Sequence, residues 1–293
     1  MGLKRGLNIS PSGVTWAEIK ADDLSGQITQ TESVPIAKGL VLPSFVNENI
    51  PDKDALKSEI LKAIPAGKRK GDIALSIPDE LVRISLVDFD EIPEKREEVE
   101  KLILWRLKKT IPIPLEMVKL DYIQLENGEG MVKLLVAVAS SAVIREYENV
   151  VREIGLRPRL VDIASINTLM MYQKQLPRDA YFIYLNNSAV GVAVLLNGEL
   201  TFFRSKIING DLSLAEKEVL STLMYYRTKA SHISIDNLYI CMTIKEADTM
   251  IEKLKNAFDG QVVQLTQPEF LQLDAASGMP AETLPATGAA LRV

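Results

Sequence analysis

Two stretches of the chain open in the same way. Residues 6–19 alternate apolar and small polar positions around Ser10-Pro11-Ser12-Gly13, which predicts two short strands joined by a tight turn. Residues 181–196 form an apolar run interrupted by Asn186-Asn187-Ser188, again strand, turn and strand, and Asn197-Gly198 then predicts a hairpin turn into a strand over 200–204. A repeat spaced by about 180 residues predicts a duplicated domain, hence two similar lobes, because solenoid units are far shorter.

Between the two openings, Asp52 is placed to cap a helix with Leu56, Ile60 and Ile64 at helical spacing, stopped by Pro65. Strands are predicted over 73–77 and 82–89, punctuated by Pro78-Asp79. A helix over 94–110 follows, with Glu94, Glu97, Glu98 and Glu100 at its start and Arg106, Lys108 and Lys109 at its end, as the macrodipole favours. Pro112 and Pro114 end it, and strands over 118–125 and 132–138, joined by a turn at 126–130, complete a strand-helix-strand-strand insert. Ser140 or Ser141 then caps a helix with the stripe Val143, Ile144, Tyr147, Val150, Val151 and Ile154, closed by Gly155. A strand over 159–163 and a helix over 164–175 end the first half; the Met170-Met171 pair in that helix reads as core.

The second half predicts a helix to about residue 229 from a Ser213/Glu216 capping box. A Thr243/Glu246 box predicts another, with Ala247, Met250, Ile251, Leu254 and Phe258 on one face and Gly260 at its end. Residues 272–285, with Gly278, Pro280 and Pro285, read as irregular before a short Ala-rich ending.

Composition removes several classes of function. The chain of 293 residues carries 34 Lys plus Arg against 39 Asp plus Glu, a net charge of −5, which gives no overall attraction to nucleic acid or anionic lipid but leaves room for a local basic patch. The longest nearly uncharged stretch, 181–196, is shorter than the roughly 18 residues a membrane span needs. No signal-peptide run follows the basic Lys4-Arg5, so a cytoplasmic location is expected. A single cysteine, Cys241, excludes an internal disulfide, and a single histidine, His232, excludes His-rich metal sites. Cys241, within Leu238-Tyr239-Ile240-Cys241-Met242, reads as a small buried hydrophobe and His232 as a loop or surface residue.

Trp105, followed by Ile111-Pro112-Ile113-Pro114-Leu115-Glu116-Met117-Val118-Lys119-Leu120-Asp121-Tyr122, resembles the hallmark of the PilM family, actin-like proteins of type IV pilus assembly platforms. Ile77-Pro78, Gly155-Leu156-Arg157-Pro158 with Val161-Asp162, and the closing Gly288-Ala289-Ala290-Leu291-Arg292 extend the resemblance over nearly the whole chain. It implies an α/β, two-lobed actin-like (ribonuclease H-like) fold. Residues 1–80 and 158–176 would form the first lobe, 81–157 the insert subdomain and 177–293 the second lobe.

The resemblance also implies a nucleotide cleft between the lobes, its phosphates held by two glycine-rich hairpin turns and its Mg²⁺ by aspartates through water. Here the first turn reads Asn8-Ile9-Ser10-Pro11-Ser12, where the family has Asp-Ile-Gly-Ser-Ser: an amide replaces the carboxylate, a serine the glycine, and a proline removes one N–H donor. In the second turn the aspartate position falls on Tyr184 and the glycine on Asn186. Cys241-Met242-Thr243 stands where a Gly-Gly pair would meet the adenosine, with side chains expected to occupy that space. The cleft positions Asn8, Ser10, Ser12, Tyr184, Asn186 and Thr243 are therefore expected to bind no cofactor and no metal, with no catalytic residues and no ATP hydrolysis. The alternative is a retained ATP site with Mg²⁺ in an active actin-like ATPase.

The function the resemblance implies is a cytoplasmic scaffold that captures the cytoplasmic tail of a PilN-like bitopic inner-membrane protein in a groove between the first subdomain and the insert. Membrane association would then be peripheral and borrowed from that partner, with no direct membrane insertion and no nucleic-acid binding. The assembly motor ATPase or other platform components are further candidate partners. Trp105, Ile111, Pro112, Ile113 and Pro114 are the candidate docking residues; the competing reading makes Trp105 core beside Val99, Leu102, Ile103 and Leu107 and the Ile-Pro-Ile-Pro run a rigid connector. A GspL-like cytoplasmic domain of a type II secretion platform is the alternative of the same class.

Overall fold

A computed structural model describes residues 2–21, 26–125, 131–229, 234–244, 246–266, 268–273 and 280–293. The predicted first hairpin is β1 (Gly2–Ser10) and β2 (Gly13–Ala21), with Asn8 opposite Thr15 and Ser10 opposite Gly13. Gly13 is obligatory at the turn, since a Cβ there would stand 2.9 Å from the Val34 carbonyl oxygen. That oxygen belongs to β3 (Gly26–Pro35), a strand the sequence pattern does not predict; its many polar positions carry no apolar alternation. After it, α1 (Lys53–Ala63) starts at Asp52, whose carboxylate accepts the Ala55 N–H at 2.9 Å. β4 (Gly71–Ile77) then returns parallel to β1.

The insert follows as β5 (Val82–Phe89), α2 (Arg96–Leu107), β6 (Val118–Gln124) and β7 (Val132–Ser140). α2 is shorter at both ends than the charge pattern predicts, so Glu94 precedes it and Lys108 and Lys109 follow its last turn. The insert strands make a separate sheet, ordered β5-β7-β6. Alternation along β7 sorts its side chains: Leu134, Val136 and Val138 join Val99 and Ile103 of α2 in a small core with Phe45 and Ile111. Leu135, Ala137 and Ala139 therefore face the opposite way, away from α2.

α3 (Ser141–Glu153) carries the predicted stripe and ends at Gly155, which has a φ of +94°. β8 (Leu156–Ile163) joins β4 in parallel, completing a six-stranded sheet ordered β14-β3-β2-β1-β4-β8, and α4 (Ala164–Tyr172) follows. The second half repeats the plan with β9 (Ala180–Leu185), β10 (Ala189–Leu196) and β11 (Glu199–Ile207), an antiparallel trio like β1-β2-β3. α5 (Leu212–Lys229) comes next, then β12 (Asn237–Met242), parallel to β9 as β4 is to β1. α6 (Ala247–Ala257) and β13 (Gln261–Gln264) complete the five-stranded sheet β11-β10-β9-β12-β13, and β14 (Leu271–Leu273) crosses back to pair with β3.

Three expectations change. Asp211, not Ser213, caps α5, its carboxylate accepting the Leu214 N–H at 3.0 Å. α6 starts at Ala247 without a side-chain cap, so the Thr243/Glu246 box does not form. Of the stretch read as irregular, 274–279 lie outside the described residues, and the Ala-rich ending after it forms α7 (Leu284–Leu291), a buried helix wedged between β1 and α4. Its small residues permit backbone contact: a Cβ on Gly6 would lie 1.8 Å from the Ala286 carbonyl oxygen, and one on Gly288 2.0 Å from that of Asn167. The predicted 126–130 turn and His232 lie outside the described residues.

Candidate functional site

All six predicted cleft positions line one cavity of about 510 Å³ between the two large sheets. Asn8, Ser10 and Ser12 come from the first hairpin, Tyr184 and Asn186 from the β9–β10 turn, and Thr243 from the end of β12. The register places Asn8 between Thr15 on β2 and Ser76 on β4, a row of polar side chains across three strands. The Oδ1 of Asn8, Oγ1 of Thr15 and Oγ of Ser76 are buried without a hydrogen-bond partner.

The turn side chains, by contrast, are occupied in holding their own loops. The Ser10 hydroxyl donates to the Gly13 carbonyl at 2.9 Å and accepts the Gly13 N–H at 3.2 Å. The Asn186 Oδ1 accepts the N–H groups of Ser188 and Ala189 at 2.7 and 2.8 Å. Tyr184 is buried in β9, and that burial raises its phenol well above the usual range. Cys241 and Met242 do not fill the cleft as expected: both are buried in β12, and only Thr243 and Ile244 beyond them reach the cavity. Cys241 is the small buried hydrophobe predicted, its thiol pushed up to about 12 by desolvation.

Two carboxylates stand beside this cavity: Asp79, which the sequence offers only as punctuation between strands, and Glu80, which it does not single out. Glu80 lines it and accepts the Ser188 hydroxyl, joining the turn after β4 to the β9–β10 turn across the cleft; burial raises its pKa. Asp79, 2% exposed, accepts the Ser165 N–H at 2.9 Å and the Ser165 hydroxyl as well. Desolvation pushes its pKa up to about 7, against the lowering effect of those bonds. Ser165 in turn touches β10, where a Cβ on Gly191 would fall 2.3 Å from its Oγ. Two adjacent acids between two apolar strands are the signal that could have singled these residues out. Among the described lining residues there is Glu80 and Glu282 but no Lys, Arg or His.

A second concavity runs along the insert. Two adjoining cavities of about 360 and 390 Å³ share Asp121, Ala137, Asp162 and Arg292, so they form one groove between the insert sheet and the first lobe. One wall is β6, an edge strand of its sheet, and the other includes β8, α4 and Gly198, Glu199 and Leu200 of the second lobe. The Arg292 guanidinium, just past α7, contacts the Asp162 carboxylate and lies 3.1 Å from the Asn167 Oδ1. None of the five predicted docking residues lines this groove. Ile111 is buried in the insert core, Ile113 is half-buried, Pro112 and Pro114 are exposed, and Trp105 is 61% exposed on α2, on the far side of the sheet. The core reading of Trp105 therefore fails, because Val99 and Ile103 already fill that side of the helix.

Among the described residues no group of three or more His, Cys, Asp or Glu side chains could hold a metal ion, and no helix is long and apolar enough to cross a membrane. The family described as Type IV pilus assembly protein PilM matches residues 6–217, well over half of the chain. No curated protein matches in sequence. Among solved structures, a PilM-PilN type IV pilus biogenesis complex superposes with a TM-score of 0.82 at 17% identity, over 99% of this chain and 98% of the other. The cytoplasmic domain of EpsL, an inner-membrane component of the Vibrio cholerae type II secretion system, gives 0.55 at 11% identity, over 100% and 96%. A Bacteroides thetaiotaomicron protein of actin-like ATPase fold gives 0.53 at 13% identity, over 90% of each chain. The insert, the paired three-strand openings and this match over residues 6–217 agree: the chain belongs to the PilM family of type IV pilus assembly proteins.

Proposed function

We propose that the chain is a non-catalytic scaffold of a type IV pilus inner-membrane platform, and that its groove beside the insert captures the cytoplasmic tail of a PilN-like membrane protein. The observation that carries this reading is the groove itself. An extended peptide laid there meets the free edge of β6 for main-chain hydrogen bonding, a broad apolar wall, and the Asp162 and Arg292 charges on the opposite side. The solved PilM-PilN complex of the same fold supports a partner of that kind. The pilus reading is preferred over a type II secretion domain because the family match is to PilM and the likeness to EpsL is one of fold.

The absence of catalysis is supported by how poorly the cleft suits magnesium and a triphosphate. Phosphoryl transfer relies on positioning and on metal-borne positive charge. The cleft offers instead Asn8 at the first metal-directed position, the Tyr184 phenol at the second, an Asn186 side chain already committed to its own turn, and two carboxylates without a cation among the described lining residues. No chemical step is assigned to this cavity.

Calorimetry tests both halves. A synthetic peptide of the PilN-like partner's cytoplasmic tail is expected to bind the wild type, to lose binding at least tenfold in Ala137→Arg, which fills the groove, and to bind Trp105→Ala unchanged. Tail binding indifferent to Ala137→Arg would overturn the groove assignment, and micromolar binding of ATP with Mg²⁺ would overturn the non-catalytic reading.

A further inference from the structure

Trp105 sits among cations that no described carboxylate neutralises. At 3.6 residues per turn, Lys101 lies one turn before it and Lys108 and Lys109 one turn after, on the side of α2 opposite Ile103. All three lysines and the adjacent Arg106 are exposed, and the Lys108 ammonium stands 5.7 Å from the centre of the indole ring. Among the described residues no carboxylate pairs with any of the four. The start of the same helix behaves differently: Glu98 faces Lys95 at 3.6 Å, and Arg96 is held by Glu100 and Asp121. From Lys101 to Leu115 there is no acidic residue, in a chain whose net charge is −5.

We propose that this outer face of α2 is a membrane-surface contact that takes anionic lipid headgroups. An exposed indole ringed by lysines matches the headgroup layer, where an amphipathic ring rests between polar and apolar zones and lysine stems lie along apolar surface with their ammonium groups in water. A protein anchor would be expected to bring its own carboxylates to a defined socket. Here the lysine charge lies on one side of α2 and of the residues just after it, around an exposed ring, which suits a flat, negatively charged plane. Four cations and one ring give a weak, salt-sensitive contact that orients the insert on the membrane and adds to any tether by an effective-concentration gain. The inference does not depend on tail capture, because the groove lies on the other face of the insert sheet.

The chain reports this contact without a label. It has two tryptophans, and Trp16 is fully buried, so a change in emission with intact fold comes from Trp105. Equimolar phosphatidylglycerol and phosphatidylcholine vesicles at low salt should shift the emission to the blue and co-sediment the protein, whereas pure phosphatidylcholine should do neither. Each lysine lost is expected to weaken partitioning roughly fivefold, so Lys101→Glu with Lys108→Glu and Lys109→Glu should reduce it about a hundredfold or more while leaving thermal unfolding unchanged. Absence of partitioning into the anionic vesicles would overturn the proposal, as would partitioning with unaltered emission or partitioning that survives the triple substitution. An emission shift with poly-glutamate and none with vesicles would overturn it in favour of an acidic polypeptide.

Discussion

Replacing Asp79 with asparagine isolates the energetics of the one carboxyl that is fully withdrawn from water beside the cleft. In the folded chain the group stays neutral up to about pH 7, because burial disfavours the carboxylate and the nearby Glu80 and Asp162 charges add to the effect. In the unfolded chain it ionises near 3.8. Between those values the folded state binds one proton more than the unfolded state, so stability is greatest below 3.8 and falls as pH rises. At about 1.4 kcal/mol per pH unit, the loss across this window is on the order of 4 kcal/mol, a large share of a typical total of about 5–15 kcal/mol. Asparagine cannot ionise. Its Oδ1 can still accept the Ser165 N–H and its amide can donate to the Ser165 hydroxyl, at a rearrangement cost of about 1 kcal/mol. The two stability curves, measured by urea unfolding from about pH 3.5 to 8, should therefore cross at about pH 4.5: Asp79→Asn is the weaker protein below that point and the stronger by roughly 3 kcal/mol at pH 8. Glu80, also raised by burial, contributes a slope of the same sign that Glu80→Gln should remove. If wild type and Asp79→Asn gave parallel curves over this range, the carboxyl would be ionised in the folded state and the desolvation argument would be wrong.

Two further substitutions probe how the elements around the cleft are held. Gly6→Ala drives a methyl group into the Ala286 backbone, which no rotamer change relieves, so a loss of about 3 kcal/mol or more is expected, with faster amide exchange over 284–291 than elsewhere. Asn49, fully buried ahead of α1, accepts the Ser44 N–H at 2.9 Å and donates to the Ser44 and Asn47 carbonyls at 2.9 and 2.7 Å. Asn49→Ala should cost roughly 3 kcal/mol in urea unfolding, and a value under about 1 kcal/mol would mean that the 44–50 loop rehydrates freely.

What the sequence made legible followed the strength of local periodicity. The stripe from Val143 to Val151 and the apolar runs of β9 and β10 specify their elements alone, whereas the cleft positions on the two turns followed from the resemblance to the PilM family. β3 escapes the sequence pattern because a strand of polar residues, Gln27, Thr29, Gln30, Thr31 and Glu32, pairs through its backbone and needs no apolar alternation. α7 was missed for the opposite reason: Ala286, Gly288, Ala289 and Ala290 are buried on every side, so no stripe separates an inner face from an outer one. The docking residues show the same limit at the level of function. Trp105 and Ile111 stand six positions apart, and spacing alone could not say that one would be exposed on the helix and the other sealed under Phe45.

The cleft shows how a chain's own side chains can hold two lobes together. In a nucleotide-bridged pair of lobes, the turns reach toward phosphates and the bound molecule supplies much of the contact between the halves. Here the chain itself supplies contacts at that point. Ser188 on the second turn donates to Glu80 on the first lobe, Ser165 is pinned by Asp79 against Gly191, and Ser10 and Asn186 turn inward to stiffen their own hairpins. Each bond is individually small, yet each consumes a group that could otherwise face a ligand, and under the non-catalytic reading the Glu80 carboxylate in the lining disfavours phosphates there. Under the non-catalytic reading, lobe closure rests on the Glu80 and Asp79 contacts and on packing around α7. Under the scaffold reading this is what the groove requires: it is walled by the insert, β8, α4 and Arg292 and, from the second lobe, by Gly198, Glu199 and Leu200, so a seam fixed by side chains keeps that second-lobe wall at a constant separation for a tail to enter.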